Sequence, residues 1–527
     1  MTGPSDLTIP AVLERAAVEF GPADAAVEGP RRLSFTHLHQ ASLDAARAVI
    51  ASGVGPGDRV ALWAPNSIEW IVASFAVYMA GAVLVPLNTR FKSHEAAYVV
   101  RTSGARLLLT VTDFLDTDFV GIAEAWDDVP SLLETVVLRG PGQSSAVDWP
   151  GWVVRGAEVD PNAVAERIGR LEANSTSDII FTSGTTGAPK GAVLTHGASV
   201  RTYRTWADCV GLNRTDRYLV VYPFFHTAGL KSGVLACVLT GATIVPFPVF
   251  DVASVMECVA EQRISVLPGP PTVFQSILNH PDFSRFDLSS LRLSVTGAAV
   301  VPVEIVRRMR EELRFQTVVT GYGLTETTGT VSMCRHDDPP ETVATTVGRP
   351  LPGVAVKVVD ESGAELPAGS AGELLVRGFN VMKEYFNDPA ATRAAVDEEG
   401  WLRTGDIGYI GSDDNIRITD RKKDMYITGG FNVYPAEVEG IILRHPAIGQ
   451  VALVGLPDER LGEVGQAVVV LRTGQPWDEH GFLRWCRDNM ANYKVPRSVR
   501  VVDALPLNPS GKVMKFLLRE TALRGTD

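Results

Sequence analysis

One segment of the sequence combines glycines, hydroxyl side chains and a lysine in a way that suits anion binding. Residues 181–191 read Phe-Thr-Ser-Gly-Thr-Thr-Gly-Ala-Pro-Lys-Gly, between apolar strands that the pattern predicts over 178–181 and 192–194. Glycines let the backbone bend so that amide N–H groups point inward. Side-chain donors come from Thr182, Ser183, Thr185, Thr186 and Lys190, beside Gly184 and Gly187. We predict a polyphosphate site here, distinct from the Walker A pattern, with an ordinary hairpin turn as the alternative.

Five further stretches carry aromatic, acidic and basic residues in recognisable patterns. They are 222–229 (Tyr-Pro-Phe-Phe-His-Thr-Ala-Gly), 321–326 (Gly-Tyr-Gly-Leu-Thr-Glu), 401–406 (Trp-Leu-Arg-Thr-Gly-Asp), 420–439, and 505–512 (Leu-Pro-Leu-Asn-Pro-Ser-Gly-Lys). With the first segment they resemble six motifs of the adenylate-forming (ANL) superfamily. That superfamily includes acyl-CoA synthetases, peptide-synthetase adenylation domains and firefly-type luciferases. The resemblance covers essentially the whole chain, and six motifs in order make it specific.

The resemblance implies an AMP-forming acid–thiol ligase that uses ATP, Mg²⁺ and coenzyme A (CoA). A carboxylate is a poor electrophile because its leaving group would be oxide. Transfer to the α-phosphorus of ATP releases pyrophosphate and gives an acyl-adenylate, from which the CoA thiol displaces AMP. Two anions must meet, so positive charge must be concentrated locally although the chain carries a net charge of −12.

The resemblance also implies residue roles. ATP and AMP are expected to contact residues 182–190, Gly321, Tyr322, Gly323, Asp406 at the ribose and Arg421 from the linker. The expected catalytic residues are Thr325 at the α-phosphate, Glu326 as the Mg²⁺ ligand, His226, and Lys512 between carboxylate and α-phosphate. Plainer alternatives are a first-turn helix acid for Glu326, a turn residue for Asp406 and a solvated turn lysine for Lys512.

A charged run at 420–424 separates Lys190 from Lys512 and reads as a linker or a solvated turn. The resemblance implies a mobile C-terminal domain with a hinge near Lys423, which delivers Lys512 and later withdraws it. A CoA channel is then expected along Gly429, Gly430 and Phe431. Glycine leaves room there for the thiol arm, and a simple hairpin turn is the alternative.

The predicted acyl pocket has mostly small walls. Its expected members are Phe225, His226, Ala228, Ser232, Gly297, Ala298, Ala299 and Gly321. Small walls leave volume, which favours a bulky polycyclic, terpenoid or medium- to long-chain acid over acetate. His226 is either a gate of this pocket or a packed core histidine.

Some positions depart from the wider family pattern. Asp420 stands where many members carry glycine, and Phe431 where many carry glutamate. The segment 430–435, with Phe225, His226 and Lys231 upstream, resembles bacterial CoA ligases for steroid-derived acids.

The patterns along the chain predict an α/β protein. Residues 81–86 and 241–246 share the pattern Gly-Ala-x-x-Val-Pro, which indicates one strand–helix–strand unit used twice, or a chance match. We expect a large AMP-binding domain over 1–420, with two related α/β subdomains over about 1–330 and a β-rich subdomain over about 331–420. A small mobile α+β domain is expected over 421–527.

Composition excludes several classes of protein. With 45% hydrophobic and 21% charged residues, the chain is suited to a packed core rather than to disorder. An excess of 61 acidic over 49 basic residues argues against a nucleic-acid partner. Five cysteines without C-x-x-C spacing favour a reducing cytoplasm. Uncharged runs at 70–87 and 232–250 are interrupted by glycine and proline, and residues 1–15 lack a signal-peptide pattern, so we expect no transmembrane segment.

Small molecules are therefore the expected partners of a cytoplasmic monomer or homodimer. An enzyme specialised for one half-reaction or feeding a carrier protein is one alternative, although residues 223–226 lack the acidic residue that binds an amino group. A catalytically silent nucleotide-binding sensor is another, against which the joint presence of Glu326, Lys512 and the phosphate segment argues.

Overall fold

The computed structural model describes residues 7–127, 129, 131–140, 146–182, 189–297, 303–421, 424–428, 431–433, 435–458, 460–490, 492–507 and 513–524. Its first part alternates helices and strands. The elements are α1 (Ile9–Glu19), β1 (Asp24–Glu28), β2 (Arg31–Ser34), α2 (Phe35–Ala51), β3 (Arg59–Trp63), α3 (Ile68–Met79), β4 (Val83–Pro86), α4 (Ser93–Ser103), β5 (Leu107–Thr110), β6 (Asp113–Phe114), β7 (Thr117–Asp118), α5 (Phe119–Glu124), β8 (Glu134–Val137), β9 (Val147–Asp148), α6 (Trp149–Arg155), a 3₁₀ turn (Gly156–Glu158), α7 (Pro161–Gly169), β10 (Thr176–Thr182) and β11 (Lys190–Thr195).

A mostly parallel sheet forms the centre of this part. Its order includes β11-β10-β4-β3-β5-β8-β9, in which β10 runs parallel to β4 and only β11 is antiparallel to its neighbour. Every residue of β4 and of β5 is buried. Strands that are apolar on both faces are typical of a parallel sheet covered by helices on each side.

A second sheet is built from the next part of the chain and from the N-terminal hairpin. The elements are α8 (His196–Val210), β12 (Arg217–Val220), a π-helical segment (Ala228–Leu235), α9 (Ala236–Thr240), β13 (Thr243–Pro246), α10 (Val252–Gln262), α11 (Pro271–Leu278), a 3₁₀ turn (Phe283–Arg285), β14 (Leu293–Thr296), α12 (Val303–Glu311) and β15 (Thr317–Tyr322). β12, β13 and β1 pair in parallel, as do β14 and β15, and single bridges through Val266 join β12 to β14.

The predicted repeat is confirmed at the level of topology. β3–α3–β4 and β12–helix–β13 are both strand–helix–strand units whose two strands pair in parallel. The glycine after each helix, Gly81 or Gly241, has a positive φ of 71° or 78°, a conformation that glycine adopts without steric cost. The two units differ in their helix, because the second begins with the π-helical segment.

The remaining elements of the large domain are mostly strands. They are a 3₁₀ turn (Thr325–Thr327), β16 (Ser332–Met333), α13 (Pro340–Thr345), β17 (Arg349–Pro350), β18 (Val354–Val359), β19 (Gly372–Gly378), β20 (Glu384–Tyr385), α14 (Pro389–Ala395), β21 (Leu402–Ile410) and β22 (Ile416–Arg421). An antiparallel sheet of order β18-β19-β21-β22 agrees with the expected β-rich region. β20, however, pairs with β11 at the edge of the first sheet.

The C-terminal part has a sheet and a hydrophobic cluster of its own. The elements are β23 (Tyr426–Thr428), β24 (Phe431–Val433), α15 (Pro435–Ile442), β25 (Ile448–Asp458), β26 (Gly462–Leu471), α16 (Glu479–Asn489), β27 (Ser498–Val501) and α17 (Lys515–Arg524). The sheet order is β24-β23-β26-β25, with β27 also beside β26. Val438, Leu453 and Phe482 are among the residues of its separate core. The fold is therefore a large α/β domain followed by a small α+β domain, as predicted.

Neither uncharged run forms a membrane-spanning helix. Within the part of the chain that the structure describes, no helix combines the length and the apolar character needed to cross a bilayer.

Asn66 connects the two parallel sheets. The residue comes shortly after β3 of the first sheet along the chain and is 4% exposed. Its Nδ2 donates to the carbonyl oxygens of Val220 and Tyr222 at 3.0 Å each and of Phe247 at 3.3 Å. Its Oδ1 accepts from the backbone N–H of Phe224 at 2.7 Å. One buried amide therefore holds the carboxyl ends of β12 and β13 against the end of β3.

Replacing Asn66 by alanine should destabilise this junction. The change leaves buried backbone groups without partners, and we expect a loss of about 3 kcal/mol in unfolding free energy for the large domain. A shift of the denaturant midpoint measures it, with Asn162→Ala, at an exposed position of α7, as the control. Equal midpoints for the two variants would show that Asn66 does not hold the sheets together.

Candidate active site

The described ends of the predicted phosphate segment lie at the carboxyl edge of the first sheet. β10 and β11 form a hairpin in which Thr182 is paired with Lys190, and the Thr182 hydroxyl donates to the Lys190 carbonyl at 3.4 Å. Thr182 is half-buried and Lys190 is exposed. The predicted residues between them, Ser183, Gly184, Thr185, Thr186 and Gly187, lie outside the described residues. Thr182 and Lys190, the described ends of the segment, therefore lie side by side at this edge of the sheet.

Tyr385 connects this hairpin to Glu326. Lys190 Nζ lies 5.3 Å from the centre of the Tyr385 ring, a cation–π contact. The Tyr385 hydroxyl donates to Glu326 Oε1 at 2.8 Å. Burial, together with the negative charge of Glu326, raises the pKa of Tyr385 above its ordinary value. Tyr385 therefore stays protonated and remains a donor to the carboxylate.

The segment that carries Glu326 is a single 3₁₀ turn after β15. Thr327 ties the turn to the end of the strand, because its hydroxyl accepts from the N–H of Leu324 at 2.9 Å. Thr325 and Glu326 are both half-buried. Among the residues that the structure describes, no group of three or more His, Cys, Asp or Glu side chains is placed to hold a metal ion. As an oxygen donor, the Glu326 carboxylate would suit a hard cation such as Mg²⁺.

Tyr322, Asp406 and the end of β22 also come together near this turn. The Tyr322 hydroxyl donates to Asp406 Oδ2 at 2.5 Å. Asp406 is buried, and its backbone N–H donates to the Thr404 hydroxyl at 3.0 Å. In the β21–β22 ladder Asp406 is the partner of Arg421, whose backbone alone is described. Three residues separated widely in sequence are thus neighbours.

The aromatic–histidine segment leads from β12 into the π-helical segment. His226 is half-buried, and its Nδ1 accepts from the backbone N–H of Ala228 at 3.2 Å. The Ser232 hydroxyl donates to the Ala228 carbonyl, so these two small residues adjoin on one helix face. Close packing explains Gly229, because a Cβ there would lie 2.1 Å from the Pro223 carbonyl oxygen.

Contacts between glycines and their neighbours place the acyl residues beside the Glu326 turn. A Cβ on Gly297 would lie 3.2 Å from Thr320 Oγ1 and 3.6 Å from the carbonyl oxygen of Gly321. A Cβ on Gly329, just after the 3₁₀ turn, would lie 2.9 Å from the Cβ of Thr227. The segments that contain His226, Gly321 and Glu326 therefore meet at one place. Ligands of open α/β sheets bind at such carboxyl edges.

Phe225 lines a crevice of about 170 Å³ next to this region. Its other walls are mostly apolar or aromatic, and include Phe114, Phe247 and Phe250. Arg90 is the one charged residue among the lining side chains of the crevice. Sequence reasoning identified Phe225 but neither Phe247 nor Arg90, because these come from distant loops.

Several predicted residues are not described. Ala298, Ala299, Lys423, Gly429, Gly430 and Lys512 lie outside the described residues, as do the side chains of Arg421 and Phe431. Their roles stay predictions. Gly323, by contrast, is described: a Cβ there would lie 2.3 Å from the carbonyl oxygen of Gly329, so the turn requires glycine.

Tyr385 is the functional candidate that sequence reasoning missed. The tyrosine belongs to none of the six motifs, and nothing in its local sequence marks it. Only the pairing of β20 with β11 brings it to Glu326 and Lys190.

We expect His226 to be neutral at pH 7, with its proton on Nε2. Burial lowers the pKa of His226 below its ordinary value of 6.5, and Nδ1 is occupied as an acceptor. The pKa of His226 is lower in the folded than in the unfolded chain. The free energy of unfolding should therefore decrease as the pH falls below about 6.5, because the unfolded chain then binds the proton more readily. Nitrogen NMR of labelled histidine, with the His226 signals assigned from their loss in His226→Gln, measures the protonation state and the tautomer at pH 7. A proton on Nδ1 at pH 7 would contradict the prediction.

Comparisons with known proteins agree with this geometry. The model of the family described as AMP-binding enzyme matches residues 13–386, and that of the AMP-binding enzyme C-terminal domain matches residues 437–512. The chain is 46% identical over 518 residues to a 3-[(3aS,4S,7aS)-7a-methyl-1,5-dioxo-octahydro-1H-inden-4-yl]propanoyl:CoA ligase of Rhodococcus jostii (97% of this chain, 98% of that one). It is 46% identical over 514 residues to the ligase of the same name from Mycobacterium tuberculosis (97% and 98%).

Solved structures show the same fold. The crystal structure of the anthranilate CoA ligase AuaEII with anthranoyl-AMP superposes with a TM-score of 0.89 at 26% identity, covering 100% of both chains. ATP-bound MatB from Rhodopseudomonas palustris superposes with a TM-score of 0.86 at 30% identity, covering 98% of this chain and 99% of that one. With the family model matching most of its length, this chain belongs to the AMP-binding enzyme family.

Proposed function

We propose that this protein is an ATP-dependent acyl-CoA synthetase. In the first step a carboxylate oxygen attacks the α-phosphorus of ATP, an acyl-adenylate forms and pyrophosphate leaves. In the second step the CoA thiol gives up its proton to solvent and its sulfur attacks the acyl carbon, the thioester forms, and AMP leaves with the bonding electron pair. The observation that carries the proposal is the meeting of the Lys190–Tyr385–Glu326 contacts with the Tyr322–Asp406 pair. The identity to CoA ligases over nearly the whole chain supports it.

The site residues divide the nucleotide between them in this proposal. The hairpin from Thr182 to Lys190 would hold the β- and γ-phosphates and orient pyrophosphate as the leaving group. Tyr322 would pack against adenine, and the buried Asp406 carboxylate would accept from the ribose hydroxyls. Glu326 would hold Mg²⁺, which neutralises phosphate charge when it is bound. Thr325 would donate to the α-phosphate.

The acid is proposed to be bulky and ring-containing. Ala228, Ser232 and Gly297 are small, and the apolar crevice beside Phe225 adds space. Both 46%-identical relatives are named for a propanoyl group on a fused two-ring diketone. A compact acid such as acetate would leave these walls uncovered and would gain little binding energy from them.

Domain movement is proposed to separate the two steps. β22 ends at Arg421 in the large domain, and β23 begins at Tyr426 in a different sheet with its own core. The change of sheet falls between Arg421 and Tyr426, slightly after the expected division into 1–420 and 421–527, and this supports a hinge near Lys423. Lys512 would enter for adenylation, and the segment with Gly429, Gly430 and Phe431 would replace it for thioester formation.

The proposed cosubstrates bear on the location of the protein. ATP and CoA are small anionic molecules of the cytoplasm, which supports a cytoplasmic enzyme with small-molecule partners. We propose that it acts as a monomer or a homodimer.

A panel of acids tests the function and the substrate class together. The protein is mixed with ATP, Mg²⁺ and CoA and one acid at a time: a fused-ring propanoic acid, a terpenoid acid, octanoate, propionate or acetate. Pyrophosphate exchange reports the first step, and mass spectrometry reports thioester and AMP. We expect the fused-ring acid to react fastest. Absence of thioester with every acid would contradict the ligase, and fastest reaction with acetate or propionate would contradict the bulky substrate.

Lys512→Ala tests the proposed role of Lys512 in the first step, formation of the acyl-adenylate. Loss of the bridging ammonium should lower pyrophosphate exchange at least about a hundredfold, while thioester formation from supplied acyl-adenylate continues. Lys515→Ala is the control, because Lys515 Nζ pairs with Glu439 Oε1 at 2.8 Å inside the small domain. Equal losses in both steps for Lys512→Ala would contradict its role.

Tyr385→Phe tests the contact that the sequence did not reveal. Without the hydroxyl, Glu326 loses the donor that orients its carboxylate, and we expect adenylation to fall about tenfold with a weaker Mg²⁺ dependence. Tyr409→Phe, in β21 outside the site, is the control. An unchanged rate and an unchanged Mg²⁺ titration would show that Tyr385 does not orient Glu326.

A further inference from the structure

A fully buried ion pair links β10, which we call the phosphate strand, to the π-helical segment Ala228–Leu235, which we call the acyl-pocket helix. Lys231 Nζ lies 2.5 Å from Asp178 Oδ2, and the two side chains are 1% and 0% exposed. Asp178 belongs to β10, which ends at Thr182, and Lys231 belongs to the π-helical segment that also carries Ala228 and Ser232. The pair therefore connects the two elements that should present the phosphates and the acid.

The Asp178 carboxylate accepts three hydrogen bonds, each from a different side chain. Besides Lys231, the Tyr78 hydroxyl donates to Oδ1 at 2.5 Å and the Ser177 hydroxyl donates to Oδ2 at 2.5 Å. Tyr78 lies on α3, and the Lys231 ammonium is also 5.6 Å from the centre of its ring. The His196 ring of α8 lies 5.8 Å from the Tyr78 ring. Burial lowers the pKa of His196 to about 3, so His196 adds no charge at neutral pH.

Stability alone does not account for such a pair. Removing two charges from water costs several kcal/mol per ion, and apolar residues of similar volume are often as stable or more stable. A buried pair with three short hydrogen bonds does, however, impose one geometry on the elements that contribute to it. Here the constrained quantity is the position of the π-helical segment along β10.

The reaction depends on that position. From Asp178 to Thr182 the strand advances about 13 Å at 3.3 Å per residue. Ala228 precedes Lys231 by three residues and Ser232 follows it directly, on the segment that adjoins His226. A shift of the helix relative to β10 would move the acid relative to the α-phosphate, and an error of about 1 Å in such a distance can cost about a hundredfold in rate.

We propose that Lys231 and Asp178 are positioning residues that hold the acyl-pocket helix in register with the phosphate strand, and so set the placement and choice of the acid. This inference rests on the proposed function. Both side chains are almost fully buried, so we assign them no direct contact with a substrate. Their effect should therefore appear in the kinetics of the acid and much less in those of ATP.

The central variant is the double substitution Asp178→Asn with Lys231→Met. It removes both charges at similar volume and keeps an acceptor for Tyr78. We expect a thermal midpoint close to that of the unchanged protein, a fall of at least about tenfold in kcat/KM for the best acid in pyrophosphate exchange, and a KM for ATP within about threefold. The differences in kcat/KM among the acids of the panel should become smaller. Lys357→Met, in β18 over the Trp401 ring, is the matched control.

Two further variants keep the test decisive if the double variant does not fold. Lys231→Met alone should be less stable than the double variant, because Asp178 is left as an unpaired buried charge. Lys231→Arg keeps the charge with a longer, planar head, and we expect it to fold and to lose about fivefold in kcat/KM for the acid. Unchanged acid kinetics and preference in a folded double variant, or in Lys231→Arg, would overturn the proposal. Absence of thioester formation by the unchanged protein would instead overturn the proposed function.

Discussion

Electrostatic repulsion between a carboxylate and a triphosphate is the constraint on which the proposed chemistry depends. The chain carries a net charge of −12, so its overall field does not attract either anion. The proposed site compensates locally, with the Lys190 ammonium at the described end of one hairpin. Donors held in place by a sheet edge need little reorganisation when charge develops, and this makes them effective in a transition state.

β20 brings Tyr385 to this sheet edge. The strand is two residues long and leaves the antiparallel region to pair with β11, which brings the Tyr385 hydroxyl to Glu326 and its ring to Lys190. A carboxylate and an ammonium are thereby held near each other through one neutral side chain rather than by a direct ion pair.

The two α/β subdomains are joined by buried polar contacts. Asn66 holds the ends of β12 and β13, and the Lys231–Asp178 pair holds the π-helical segment to β10. Apolar packing is tolerant of small displacements, whereas a buried polar group that loses its partner pays a large desolvation penalty. Polar contacts at this junction therefore select one relative position of the subdomains, at the place where acid and nucleotide are proposed to meet.

Sequence patterns alone predicted the strand–helix–strand repeat, the β-rich region and the small C-terminal domain, because periodicity, turn residues and short spacings are local properties. The resemblance of six motifs indicated the family. Only the tertiary structure decided that Tyr385 reaches Glu326, that Phe247 and Arg90 join Phe225, and that Lys231 is neutralised by Asp178, 53 residues away in the chain. Contacts of that kind depend on which strands become neighbours, and strand order is settled by the packing of the whole domain rather than by any local pattern.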